Sequence, residues 1–243
     1  MQQYAPIQGT QAATQVKVNA FVRSVYNWMG IGLALTGFTA YFVANSPALL
    51  GLLFQVAGNR LQPTILFYGL IIAELAMVFT LSARVAKMQA GTATSLFVAY
   101  SALNGATLSS IFLIYTSASI TSVFFICSAT FLATSAFGWM TKKDLTGLGQ
   151  FMFMGLIGIL IASVVNIFMQ SSGMHMIISY IGVIVFVGLT AYDTQKIKYM
   201  AMSQPADATG AMVRKGALLG ALTLYLDFIN LFLMLLRIFG DRR

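Results

Sequence analysis

Charge is scarce in this chain. Asp, Glu, Lys and Arg make up 8% of its 243 residues and only six residues are acidic, against about 25% charged in an ordinary soluble domain. With 58% apolar residues and a mean hydropathy of +0.83, it cannot furnish the surface of a water-soluble fold. Cysteine is nearly absent. Cys127, the one thiol, lies in an apolar stretch, which excludes a disulfide framework, a CxxC pair and a thiolate metal site. His175, the one histidine, falls near the edge of an apolar run, which argues against a buried Ser and His dyad. A signal peptide with an apolar core and cleavage site is not visible at the start, so the first apolar run is expected to act as its own uncleaved signal. Residues 1–22 are polar, and their Gln-, Ala- and Thr-rich part up to Val16 is expected to be a disordered tail.

Long apolar runs are abundant. Stretches of about 20 such residues, the length that crosses a bilayer, fall at 25–43, 64–83, 94–115, 120–140, 148–169, 174–192 and 216–239. The expected fold is all-α, a polytopic membrane protein whose single domain, residues 23–243, has seven transmembrane helices. The net charge of +8 does not indicate nucleic acid, because the 14 basic residues sit in short clusters between spans with no basic helix face and no groove of stacking aromatics. Their placement follows topology instead. Lys17, Arg23, Arg84, Lys87, Lys142, Lys143, Lys196, Lys198, Arg214 and Lys215 fall on one side, and Arg60, Arg237, Arg242 and Arg243 on the other. The positive-inside rule puts the larger group, and with it the N-terminus, in the cytoplasm and the C-terminus outside. The connections 116–119 and 170–173 are short and uncharged, so the third to sixth spans are expected to be tight antiparallel neighbours.

The acids inside the apolar runs carry the chemistry. Asp227 stands in the middle of the last run, where a charge costs roughly 2.5 to 3.5 kcal/mol even on lenient insertion scales. Gly216, Gly220, Thr223, Asp227 and Asn230 recur every three or four residues, so they share one helix face, which must look into protein. For Thr223 and Asn230, packing and hydrogen bonding compete with a place in an ion pathway. Glu74 is also mid-span and is a candidate for that pathway by default, the alternative being a protonated acid that only packs. Asp193 closes the sixth run in Tyr192-Asp-Thr-Gln-Lys196, where a solvated ion pair with Lys196 competes with a functional role. At 1.5 Å per residue, Asp193 lies roughly 5 Å from Lys196 and Asp227 about 18 Å from Lys215. The two acids therefore meet only if the sixth helix continues beyond Lys198 or the membrane edge on the seventh lies deeper than Lys215. Arg84 reads as a snorkelling anchor or a gate. Asn104 and Asn166 are expected to bond between helices, Cys127 to sit in the core and His175 at the interface.

Two segments carry a resemblance: Gly220-Ala-Leu-Thr-Leu-Tyr-Leu-Asp-Phe-Ile-Asn-Leu-Phe-Leu-Met-Leu-Leu-Arg-Ile-Phe-Gly240 and Gly182-Val-Ile-Val-Phe-Val-Gly-Leu-Thr-Ala-Tyr-Asp-Thr-Gln-Lys-Ile197. They resemble the signature of the transmembrane Bax-inhibitor-motif family, specifically its bacterial inner-membrane members. The resemblance extends from about Phe21 onward and implies a central C-terminal helix wrapped by the other six. It also implies a pH-sensitive calcium leak channel whose proton-sharing aspartates match Asp193 and Asp227, with Arg84 matching a basic latch. The longer basic tail of many eukaryotic members has no counterpart after Gly-Asp-Arg-Arg243, so tail-dependent control is not expected. Such a pair would hold calcium weakly and in transit, since the ion wants six to eight oxygens and the core offers two or three carboxylates with amide and hydroxyl oxygens. Calcium would be the transported ion, not a cofactor.

Two other classes compete. An intramembrane aspartyl protease also uses two aspartates on adjacent helices, but its Gly-x-Gly-Asp half is missing, because Asp227 follows Tyr-Leu; the chain is not expected to be an enzyme. A non-conducting regulator, which binds membrane-embedded proteases or translocation machinery, is the alternative to the leak.

Overall fold

The computed structural model describes residues 8–57, 60–205 and 207–243. Helix α1 (Gln8–Ala44) is followed by a short α2 (Pro47–Leu53), a two-stranded hairpin of β1 (Phe54–Ala57) and β2 (Arg60–Pro63), and α3 (Ile65–Arg84). A single 3-10 turn at Val85–Lys87 leads to α4 (Ala90–Leu108), a one-turn α5 (Ile111–Ile114), α6 (Ser117–Met140), α7 (Thr146–Met169), α8 (Ser172–Met202) and α9 (Gly210–Phe239). Among the described residues, six helical stretches are long and apolar enough to cross a membrane, and α1 with α2, bent by 98° at their junction, makes a seventh if the bent pair counts as one span. Pro47 sets that bend: it occupies the first turn of α2, where its missing N–H costs nothing.

Helix starts follow side-chain capping. Thr64, Thr116, Ser171 and Thr209 each accept the backbone N–H three residues on, at the heads of α3, α6, α8 and α9. Helix α7 ends on Gln170 in the left-handed region, φ 50°.

Burial places α9 at the centre. Of its apolar window 72% is buried, against 6% for α3, and it packs on α1, α3, α4, α6 and α8. Helix α7 packs chiefly on α8, so the ring around α9 is incomplete on that side. The expectation of tight neighbours from the third to the sixth span holds only for α7 with α8. Although short turns join α4 to α6 and α6 to α7, α6 packs on α8 and α9 instead. Glycine explains that choice. A Cβ on Gly138 of α6 would strike the carbonyl of Ala191, and one on Gly149 of α7 would strike the Tyr192 ring, so both helices reach α8 where a larger residue would hold them off.

The tail expected to be disordered is helical from Gln8 onward; residues 1–7 lie outside the described residues. Gln and Ala are good helix formers. Val18, Phe21, Val25 and Met29, spaced three and four apart, are buried along one face. Phe21 lies against Gly216 and Val25 against Gly220, so this stripe docks on the start of α9.

Candidate functional site

The pair of acids forms where α8 crosses α9. Helix α8 does not stop with its apolar run at Tyr192 but continues to Met202, which removes the mismatch in depth. Asp193 and Asp227 are 8% and 5% exposed, line one cavity, and lie close enough for their carboxyl groups to interact directly. A carboxyl-to-carboxyl bond needs a proton between the two, because an ionised carboxylate only accepts. The Oδ2 of Asp227 is buried and has no hydrogen-bond partner among the described residues. A buried polar oxygen in that condition is costly.

Two cavities flank the contact. One, of about 290 Å³, is lined by Ser82 of α3, Asp193, Lys196 and Met200 of α8, and Gly220 and Thr223 of α9. The other, of about 530 Å³, opens between α7, α8 and α9 and is lined by Gln150, Tyr192, Asp193, Thr223, Asp227 and Asn230. Thr223 and Asn230 spend their donors on their own helix, Thr223 on the Leu219 carbonyl at 3.1 Å and Asn230 on that of Leu226 at 2.8 Å. Their remaining oxygens can still accept or ligate. Lys196 lies on the exposed side of α8, 5.9 Å from the Tyr192 ring centroid. Among the described residues no group of three or more His, Cys, Asp or Glu side chains is placed to hold a metal.

Glu74 belongs elsewhere. Asn104 Nδ2 donates to its Oε2 at 3.0 Å and Thr107 Oγ1 to its Oε1 at 2.9 Å. Tyr225 Oη donates to Asn104 Oδ1 at 2.8 Å, and Thr36 Oγ1 shares a proton with Tyr225 Oη at 2.6 Å. One chain of hydrogen bonds thus ties α3, α4, α9 and α1. Tyr225 and Asp227 are two residues apart, which turns them to different sides of α9. Arg84 is exposed at the end of α3 and makes no ion pair among the described residues.

The sequence reading missed Tyr225, Thr36 and Gln195. A tyrosine within an apolar span must find a partner for its hydroxyl, and that was the available signal for Tyr225. Gln195 joins α8 to the turn between α6 and α7, accepting from Leu145 N and donating to Lys143 O, both at 2.9 Å. Asn104 bonds between helices as expected, and Cys127 is fully buried. Among the described residues Asn166 makes no bond to another helix: its Oδ1 accepts from Ser171 N at 3.1 Å and closes the turn after its own helix. His175 is exposed at the head of α8.

Residues 18–243 match the family described as inhibitor of apoptosis-promoting Bax1. The chain is 54% identical to the inner membrane protein YbhL of Escherichia coli K12 over 226 residues, 93% of each chain. It is also 42% identical to a protein of Borreliella burgdorferi over 235 residues, 96% of this chain and 97% of the other. A membrane protein of Streptococcus pyogenes serotype M1 is 40% identical over 233 residues, 93% and 95% of the two. With an all-helical fold of six or seven candidate spans, a heavily buried C-terminal helix and this extent of similarity, the chain belongs to the Bax inhibitor family, as a multi-pass protein of the bacterial inner membrane.

Proposed function

We propose that the protein is a pH-sensitive cation leak of the inner membrane, with calcium as the transported ion and Asp193 and Asp227 as its proton switch. The observation that carries this reading is a buried carboxyl contact between two helices, with a cavity on each side and one carboxylate oxygen left without a partner. Two such groups cannot both ionise cheaply at close range, so they titrate as a unit. A proton between them joins α8 to α9; its loss sets two negative charges against each other and favours another arrangement. A hard cation passing Asp227, Asp193, Thr223 and Asn230 meets only oxygen donors, too few for storage. Arg84, two residues beyond Ser82 of the smaller cavity, is assigned the latch that pairs with the released carboxylate. Glu74 does not line either cavity; its part is to fix α3 and α4 to α9. The reading involves no catalytic step, and it sets the ten-residue basic end in the cytoplasm.

Calcium flux into liposomes containing only this protein, recorded across pH, is the test. Asp227→Asn keeps size and hydrogen bonding and removes the titration, so flux is expected to lose most of its pH dependence. Asp193→Asn should do the same, and the double variant should add little, because partners in one network are not additive. An Asp227→Asn protein that kept the parent's pH profile would show a permanently protonated packing residue. The non-conducting regulator would then be the better reading.

A further inference from the structure

A third cavity lies at the opposite end of the bundle, away from the aspartates. It has a volume of about 630 Å³ and is lined by Tyr115, His175, Met176, Arg237, Ile238 and Arg242, among others. Two arginines and a histidine line one space, and no acidic residue is in its lining. Among the described residues neither arginine has an ion-pair partner; Arg237 Nη1 donates to Met234 Sδ at 3.9 Å. The nearest acid in sequence, Asp241, is not in the lining and bonds to α6: its Oδ2 accepts from Ser119 Oγ at 3.2 Å and its N–H donates to Ser119 Oγ at 3.0 Å.

Arg242 is held in place. It pairs with Tyr115 as an isolated antiparallel bridge, Thr116 N donates to Asp241 O at 3.1 Å, and Arg243 N donates to Ile114 O at 3.0 Å. The backbone after α9 is therefore fastened to the turn before α6, and little backbone ordering is left for binding. The head of α8, with Ser172 in the lining, adds the positive end of a helix dipole. Ile114, Met176 and Ile238 supply an apolar wall beside this charge.

We propose that this cavity binds a phosphate group, an anion whose oxygens the forked guanidinium donors can meet in pairs. Two sources share that chemistry, a phospholipid headgroup at the membrane surface and free phosphate in solution. The apolar wall fits the first, since a headgroup arrives with its acyl chains.

The test uses the full chain, purified in zwitterionic detergent, with phosphatidylglycerol or phosphatidylcholine added in mixed micelles, or inorganic phosphate at constant ionic strength. Bound lipid is counted by native mass spectrometry and the thermal midpoint is read in parallel. Saturable binding of phosphatidylglycerol over phosphatidylcholine is expected, and Arg237→Gln with Arg242→Gln should weaken it about tenfold or more. The exposed Arg242→Gln alone, which removes no bond seen in the fold, should weaken it in the same direction even if the double variant fails to fold. Lys142→Gln with Lys143→Gln, at the other end, should leave it unchanged. Displacement of the lipid by inorganic phosphate would assign the recognition to the phosphate alone; binding without displacement would assign it to the lipid. Equal affinity for the two lipids, or equal losses in the arginine and lysine variants, would overturn the proposal.

Discussion

A single hydroxyl, that of Tyr225, separates the two polar centres of this protein by function. It completes the chain from Glu74 through Asn104 to Thr36, while Asp227 serves the contact with α8. Tyr225→Phe leaves the buried Asn104 Oδ1 without its donor, while Thr36 Oγ1 keeps the Gly32 and Ser101 carbonyls, and should cost about 1–3 kcal/mol. Thermal unfolding in detergent measures this. The pH profile of calcium flux should survive the change, because the aspartates are untouched. Asp227 was legible in the sequence because a charge amid leucine and phenylalanine has no cheap explanation, whereas for Asp193 an ion pair with Lys196 competed and its pairing with Asp227 came from the family resemblance. The partners of Glu74 were not legible: which helix face meets which neighbour depends on packing, and a lone acid in an apolar run carries no address.

At the scale of the element, α8 is the piece whose extent decides the site. Its apolar run ends at Tyr192, but the helix continues for ten residues to Met202 because its last turns stay anchored. Gln195 is tied to the α6–α7 turn, and Lys198 Nζ donates to Trp139 O at 2.7 Å. Hydropathy marks where lipid contact ends and is silent about where a helix ends, which is why the depths of the two aspartates looked unequal. The close approach of α6 at Ala191 rests on Gly138. Gly138→Ala gains up to about 1 kcal/mol of helix propensity. It also pushes a methyl group into the Ala191 carbonyl, an overpacking cost of about 1–3 kcal/mol. A lowered thermal midpoint and a shifted pH profile of flux are expected together, since Ala191 is two residues from Asp193. An unchanged profile with normal stability would mean that α8 does not need this contact.

Across the whole molecule, the basic residues sort to the two ends that the helices define. Lys215 Nζ donates to Ala86 O at 2.7 Å, joining the head of α9 to the end of α3, while Arg242 and Tyr115 mark the opposite end. Reporter fusions should find the N-terminus and the α8–α9 connection in the cytoplasm and the C-terminus outside. Both termini on one side would contradict an odd number of crossings. The apolar runs made the candidate spans readable, six or seven in the fold, and the polar face showed that the last helix looks into protein, while its central place came from the resemblance. The order of neighbours around α9 was not, because short turns bring ends together without making the rest of two helices touch.

The central position of α9 has a consequence for biogenesis. It is synthesised after every helix it touches, so α1, α4, α6 and α8 enter the membrane before the element that fills the space between them. During that interval Thr36, Asn104 and Asp193 lack their α9 partners, and the nascent bundle holds polar groups that lipid cannot satisfy. Assembly is then completed in one late step, and substitutions in α9 act on the survival of the newly made chain as well as on the finished protein. Cellular phenotypes of such variants therefore call for a count of inserted molecules before any difference is assigned to ion flux.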